Sequence, residues 1–201
     1  GEVRATVRPE GGLGAAAVDV GRKILCSVVR SAPAEVGLHA VRVAGPGGVS
    51  ALKLIMVDDL KSVPQTAGNT TREKAQAITL PVAIDGAVPN LNFSFFKFNV
   101  TAGQKVSLEV VARRLGSGLD PIVRILDSAG QQIAWSDDVA GLRSDSRVCH
   151  TFAKAGEYLI ELRDIRYTGG AFRLRVGDFP CITAPIPTGV TQGQTAKVSF
   201  A

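Results

Sequence analysis

The stretches NFSFFKFNVTAGQ (92–104), KVSLEVVARRLGSG (105–118), LDPIVRILDSAG (119–130), QQIAWSDDVAG (131–141), RVCHTFAKAG (147–156), EYLIELRDIRYTGG (157–170) and AFRLRVGD (171–178) decide the fold. Each opens with a short run rich in β-branched, aromatic or leucine side chains and closes on a turn containing Gly or Asp. Alternation with a period of two marks a strand with one buried face. A succession of such strands with regular turn signals predicts an antiparallel β-sandwich. The alternation also names the core. Phe96, Phe98 and Val100 share a face, as do Val106, Leu108 and Val110; Val123 pairs with Ile125, Tyr158 with Ile160 and Leu162, and Phe172 with Leu174 and Val176.

Working outward, residues 1–57 carry a shorter β pattern: EVRATVR, KILCSVV, GLHAVRV and SALKLIMV. In GLHAVRV the side chains of His39, Val41 and Val43 fall on one face, and those of Leu38, Ala40 and Arg42 on the other. A turn is expected at Ser31-Ala32-Pro33-Ala34, and Gly45-Pro46-Gly47-Gly48 predicts a hairpin with a longer loop. Four strands are fewer than the seven or so of an immunoglobulin-like sandwich, so this first unit reads as a partial module. Residues 58–77 are polar and turn-rich and read as a linker. The sandwich is expected over 78–180. Residues 181–201, with Pro185, Pro187 and Gly189 ahead of Ala196–Phe200, read as the opening strands of a further β module.

Composition narrows the function classes. At 45% hydrophobic and 20% charged residues, packed cores are affordable and disorder is not expected. The net charge of +5 comes from Lys and Arg that alternate with apolar residues, as in Arg173-Leu174-Arg175-Val176, which is the pattern of a solvated strand face. Basic pairs occur only at Arg22-Lys23 and Arg113-Arg114, and aromatics make up 5% of the chain, so nucleic acid is not expected as a partner. The three cysteines, Cys26, Cys149 and Cys181, lack metal-ligand spacing. Buried free thiols are the favoured reading; a single disulfide is the alternative, with Cys149–Cys181 the pair to expect because both fall near one domain. The chain starts at Gly1 without Met, has no signal peptide and no apolar run long enough to insert in a membrane. It reads as a piece of a larger protein.

The ordered set Phe95-Phe96-Lys97-Phe98 with Ala102-Gly103-Gln104, Leu119-Asp120-Pro121 through Leu126-Asp127 to Gly130, Asp137-Asp138, and Gly156-Glu157-Tyr158-Leu159-Ile160 resembles the bacterial pre-peptidase C-terminal domain. That domain is a jelly-roll-like β-sandwich found beside secreted peptidases and in large surface proteins. The resemblance spans about residues 60–180 and implies an extracellular or cell-envelope location. The flanks are similar to immunoglobulin-like modules of the IPT/TIG kind, on Gly37–Val43 and Gly47–Ser50 as closing strands and Ile186–Phe200 as opening strands. Residues 181–201 then become candidates to supply the strands that 1–57 lacks, within the chain or by exchange between two chains as a homodimer. Calcium-binding members of the family carry a pattern like Glu-x-Glu-Pro-Asn-Asp in the segment leading into the domain. Here the matching Gln65–Thr70 keeps Asn69 but has Gln65, Ala67 and Thr70 at the carboxylate positions, which implies that this metal site is lost.

Few constellations carry chemistry. Asp137, Asp138 and Asp145 are the acidic cluster to weigh. They read either as a loop calcium site with a carbonyl from Gly141, or as turn caps paired with Arg143 or Arg147. Calcium is the only cofactor these residues suggest; none is otherwise expected. Asp120, ahead of Pro121, reads as a turn residue. Trp135, the single tryptophan, is either an exposed platform for a sugar ring or ordinary packing. His39 and His150 have no visible partner, Cys149 and His150 are neighbours on a strand and face opposite sides, and no GxSxG turn occurs. The Gly-rich stretches Gly11–Gly14 and Gly45–Gly48 lack the strand-to-helix setting of a phosphate loop. No enzyme activity is expected. The reading is a structural or adhesive module of a large secreted or envelope-attached protein. The alternative is a targeting module of a secreted hydrolase that binds polysaccharide or protein, and an exposed Trp135 favours that alternative.

Overall fold

In the computed structural model of the chain, the described residues are 3–8, 25–30, 35–42, 44–45, 48–181 and 185–200. They belong to two compact units, Gly1–Asp59 and Leu60–Ala201. In the first, β1 (Val3–Arg8) pairs antiparallel with β2 (Leu25–Arg30). Next come β3 (Gly37–Val41), β4 (Ala44–Gly45), β5 (Gly48–Val49) and β6 (Lys53–Val57). β3 and β6 form an antiparallel pair, and β4 and β5 a two-residue ladder within their connection, as the Gly-Pro-Gly-Gly signal predicts. His39 and Val41 are half-buried while Leu38 and Ala40 are exposed, the expected alternation. The turn at 31–34, the glycines at 11–14 and the Arg22-Lys23 pair lie outside the described residues, as does the side chain of Cys26 on β2.

The second unit is the sandwich. Its strands are β7 (Ser62–Pro64), β8 (Gln76–Ala77), β9 (Val82–Val88), β10 (Phe93–Val100), β11 (Lys105–Val111), β12 (Pro121–Leu126), β13 (Gln132–Ser136), β14 (Arg147–Thr151), β15 (Gly156–Asp164) and β16 (Gly170–Gly177). They form two five-stranded sheets, ordered β13-β12-β15-β10-β8 and β14-β11-β16-β9-β7. The residues picked by alternation fill the space between the sheets: Phe96, Phe98, Val106, Leu108, Val110, Val123, Ile125, Ile160, Leu162, Phe172, Leu174 and Val176 all belong to one buried cluster, with Tyr158 packed against it. Phe98 meets Phe152 edge-on at 5.8 Å between ring centroids, and Phe96 meets Phe172 in the same way at 6.2 Å. Edge-to-face geometry is the arrangement that the ring quadrupole favours.

The segment 58–77 is a correction. It was expected as a linker, yet β7 and β8 arise within it and pair parallel with β9 and β10, closing one edge of each sheet. Side-chain amides hold it there. Gln65 Nε2 donates to Asn69 Oδ1 (2.7 Å) and Ser94 Oγ (2.9 Å), and Gln65 Oε1 accepts from the Ala87 amide (2.8 Å). Asn69 Nδ2 donates to the Phe95 carbonyl (2.9 Å). A run of polar residues here is sheet edge, because those side chains supply the bonds that a longer strand would take from its backbone. The sheets are therefore mixed, with antiparallel interiors.

Cys149 on β14 is disulfide-bonded to Cys181, so the favoured reading of free thiols gives way to the alternative pair, which anchors the chain leaving β16. Beyond it, β17 (Pro185–Ile186) and β18 (Ser199–Phe200) pair antiparallel with each other.

Candidate functional site

The outer face of the β13-β12-β15-β10 sheet follows from its register. Trp135 lies opposite Arg124, Arg124 opposite Glu161, and Glu161 opposite Phe95, making one row across four strands. Two residues along, Ile122 lies opposite Arg163 and Arg163 opposite Phe93. Because side chains alternate between faces, both rows point away from the core. Of these residues Trp135, Arg124, Ile122, Arg163 and Phe93, together with Gln132 and Tyr167, line an open cleft of about 460 Å³. Trp135 is 56% exposed, so the sequence alternative of ordinary packing does not hold.

The cleft is built to a fixed shape. Arg124 Nε donates to Glu161 Oε1 at 2.7 Å and its Nη2 donates to the same oxygen. The Arg163 guanidinium lies 5.2 Å over the Tyr167 ring, and Phe93 meets that ring edge-on at 5.9 Å. Tyr167 has φ of +60°, a left-handed conformation that non-glycine residues seldom adopt. Its backbone is held by the Tyr167 amide donating to the Asp164 carbonyl (3.2 Å) and by its own carbonyl accepting from Leu91 (2.8 Å).

A second polar site lies at one end of this sheet. In the β12–β13 hairpin, Val123 faces Ser136, so the residues before β12 and after β13 must meet. There the carboxylates of Asp120, Asp137 and Asp138 each bring an oxygen within 4.8 Å of the others. Burial pushes the Asp137 carboxyl up from its ordinary value, the charges of Asp138 and Asp120 push it the same way, and Arg163 opposes them.

Asp145 does not join that cluster. Its fully buried carboxylate accepts from the backbone amides of Ala112 (3.0 Å), Arg113 (2.7 Å) and Arg114 (3.3 Å), and from Arg114 Nε at 2.7 Å. The structure therefore splits the predicted trio and adds Asp120, which sequence reasoning had set aside as a turn residue. Arg147, considered as a partner for the aspartates, goes instead to Glu109 Oε1 at 2.7 Å.

Comparisons with known proteins give two similar structures. No family model and no curated protein matches the chain. Among solved structures it is similar to the pre-peptidase C-terminal domain of a collagenase from Bacillus anthracis, at 17% identity and a TM-score of 0.42, over 51% of this chain and 93% of that one. It is also similar to the periplasmic inhibitor of g-type lysozyme from Aeromonas hydrophila, at 16% identity and a TM-score of 0.39, over 60% of this chain and 98% of that one.

The histidines are placed structurally. His39 Nε2 lies 2.8 Å from the Glu35 carbonyl, and the His150 ring packs edge-on against Phe152 at 4.8 Å. On the other sheet's outer face, Glu109 is 3% exposed beneath Arg114 (2.9 Å), Arg147 (2.7 Å) and Arg175 (2.8 Å). Alternation alone would have left Glu109 in solvent. The signal that could have found it is the row of arginines at 147 and 175 on the strands flanking β11.

Proposed function

We propose that the chain is a non-catalytic binding module of a secreted or envelope-attached protein, and that the Trp135 face docks on a polysaccharide. The observation that carries this reading is the exposed indole in a row with Arg124 and Glu161, bordered by Tyr167 and Gln132. A flat aromatic ring matches the apolar C–H face of a sugar, while the Arg124 guanidinium and the Gln132 amide match its hydroxyls. Tyr167 is held against its backbone preference, and such conformations cluster at binding surfaces. The cleft is open, which suits a polymer lying across it. The Cys149–Cys181 disulfide supports an oxidising compartment, outside the cytosol.

The test is affinity electrophoresis against soluble polysaccharides and co-pelleting with insoluble cell-wall polymers, read alongside Trp135 emission. At least one polymer is expected to bind with a change in emission, and Trp135→Ala is expected to weaken it about tenfold or more. Binding that survives Trp135→Ala unchanged, or no polymer that alters the emission, would defeat this reading and leave a structural spacer or a protein contact.

A further inference from the structure

Two buried carboxylates of this sandwich, Asp145 and Asp164, are well supplied with donors. Asp145 takes three backbone amides and an arginine; Asp164 takes the amides of Asp120 (2.7 Å), Arg166 (3.1 Å) and Thr168 (2.8 Å) with the Thr168 hydroxyl (2.9 Å). Asp120 Oδ1 and Asp137 Oδ1 break the pattern. Both atoms are shut from solvent, and they are the two buried carboxylate oxygens without a hydrogen-bond partner among the described residues. Asp120 and Asp137 come from different chain segments and meet Asp138 in one cluster. A buried acceptor left unpaired costs about 1–3 kcal/mol and more when charged, and an absent ion is one of the few physical reasons for it.

The charges point the same way. Arg113 pairs with Asp120 Oδ2 at 3.6 Å, and Arg163 acts on Asp137. Two guanidiniums against three carboxylates leave an excess negative charge, with Asp164 alongside. Neither arginine reaches the orphaned oxygens.

We propose that Asp120, Asp137 and Asp138 form a calcium site that pins the open end of the β12–β13 hairpin. Three hard, anionic oxygens with one solvent-facing side fit calcium, which takes six to eight oxygen ligands and fills the remainder with water. Zinc is disfavoured by the absence of nitrogen or sulfur in the set. With three carboxylates from a rigid hairpin, the dissociation constant falls in the range of extracellular modules, about 10⁻⁴–10⁻³ M.

The chain carries its own reporter, because its single tryptophan, Trp135, lies two residues from Asp137. The experiment titrates terbium into the 201-residue chain, excites Trp135, and then adds calcium; thermal melts in 10 mM calcium and in chelator run beside it (that concentration is about ten times the upper dissociation constant). Saturable luminescence displaced by calcium is expected, with a higher melting temperature in calcium. Asp137→Asn and Asp138→Asn should each lose both signals, and in chelator should melt at or above the parent because like-charge repulsion is relieved. Asp127→Asn, at the far turn of the same hairpin, should change neither signal. Trp135→Ala should lose the luminescence and keep the melting shift. Calcium responses that persist in both Asp137→Asn and Asp138→Asn would overturn the site, as would the absence of luminescence together with no melting shift.

Discussion

Replacing Asp145 by Asn tests whether that carboxylate is structural. The side chain is fully buried, and its two oxygens collect three backbone amides and the Arg114 guanidinium. Those amides belong to Ala112, Arg113 and Arg114, which open the one-turn 3-10 helix Arg113–Leu115 that carries the chain from β11 towards β12. Asn keeps one acceptor and turns the other oxygen into a donor. If the retained oxygen stays on Ala112 and Arg113, the new amide faces the Arg114 amide and its Nε, donor against donor. Two bonds to a charged acceptor at about 1.5–3 kcal/mol each, or the breaking of a buried pair at about 3–5 kcal/mol, give the same scale. The expected loss is about 3–5 kcal/mol, a fall in urea midpoint of roughly 1.5–2.5 M for an m-value of about 2 kcal/mol/M. Urea unfolding followed by far-ultraviolet circular dichroism measures it. The loss should be equal in calcium and in chelator, because Asp145 lies outside the aspartate cluster. A loss under about 1 kcal/mol, or one seen only with calcium present, would refute the structural assignment.

Other outcomes follow from the same contacts. Reducing the Cys149–Cys181 bond, or replacing Cys149 by Ser, frees a loop of sequence separation 32 and should lower stability by about 3–4 kcal/mol; a melting temperature insensitive to reductant would contradict it. Trp135→Ala should leave stability within about 0.5 kcal/mol, since the ring is largely exposed, which separates its role in binding from folding. The pH dependence has two signs. Burial raises the Glu109 carboxyl, but hydrogen bonding and charge from Arg147, with Arg114 and Arg175, outweigh it and hold the group below its ordinary 4.5; for Asp164, burial is outweighed by the bonds from Asp120, Thr168 and Arg166, which hold it below 3.8. Their stabilisation is complete above those ordinary values and disappears as pH falls through the lowered ones. Asp137 is raised above 3.8, so its protonation favours the folded state. Melting temperature against pH in chelator should therefore rise slightly on mild acidification before falling, and the rise should vanish in Asp137→Asn.

The core was legible because a strand with one buried face repeats every two residues, and Phe96, Phe98, Leu108, Ile160, Leu162 and Leu174 follow that period into one buried cluster. Ser107 and Glu109, on the other face of β11, were not. Their cover comes from Arg147 on β14, Arg175 on β16 and the Phe179 carbonyl, which accepts from Ser107 Oγ at 2.6 Å, and period-two reading says nothing about what lies over an outward face. β7 and β8 were hidden for a different reason: two or three residues paired parallel at a sheet edge leave no periodic trace, and Gln65 and Asn69 looked like loop. The aspartate cluster sat between these cases. Asp127 folds the turn by accepting from the Ala129 and Gln131 amides (2.9 and 2.8 Å), so counting back along both strands from that turn brings residue 120 near residue 137. Exposure of Trp135 could not be counted, since it depends on what the other side chains of that face leave uncovered.

The position of β7 and β16 on either side of β9 has a mechanical consequence. Ser62 lies level with Ala83, and Val176 with Val82, so the chain joins and leaves the sandwich at the same end of one sheet. Two strand spacings separate those points, about 10 Å. Residues 62–177 thus hang from the backbone path as a pendant, storing a contour of roughly 400 Å in that small gap. Tension would open such a pendant from the sheet edges, pulling along the hydrogen bonds instead of shearing them. The Cys149–Cys181 bond changes the geometry: force arriving through Cys181 passes to β14, at the far edge of that sheet, about 19 Å from β7. It also withholds the intervening 32-residue separation from any extension, roughly 110 Å of slack that only a reductant releases.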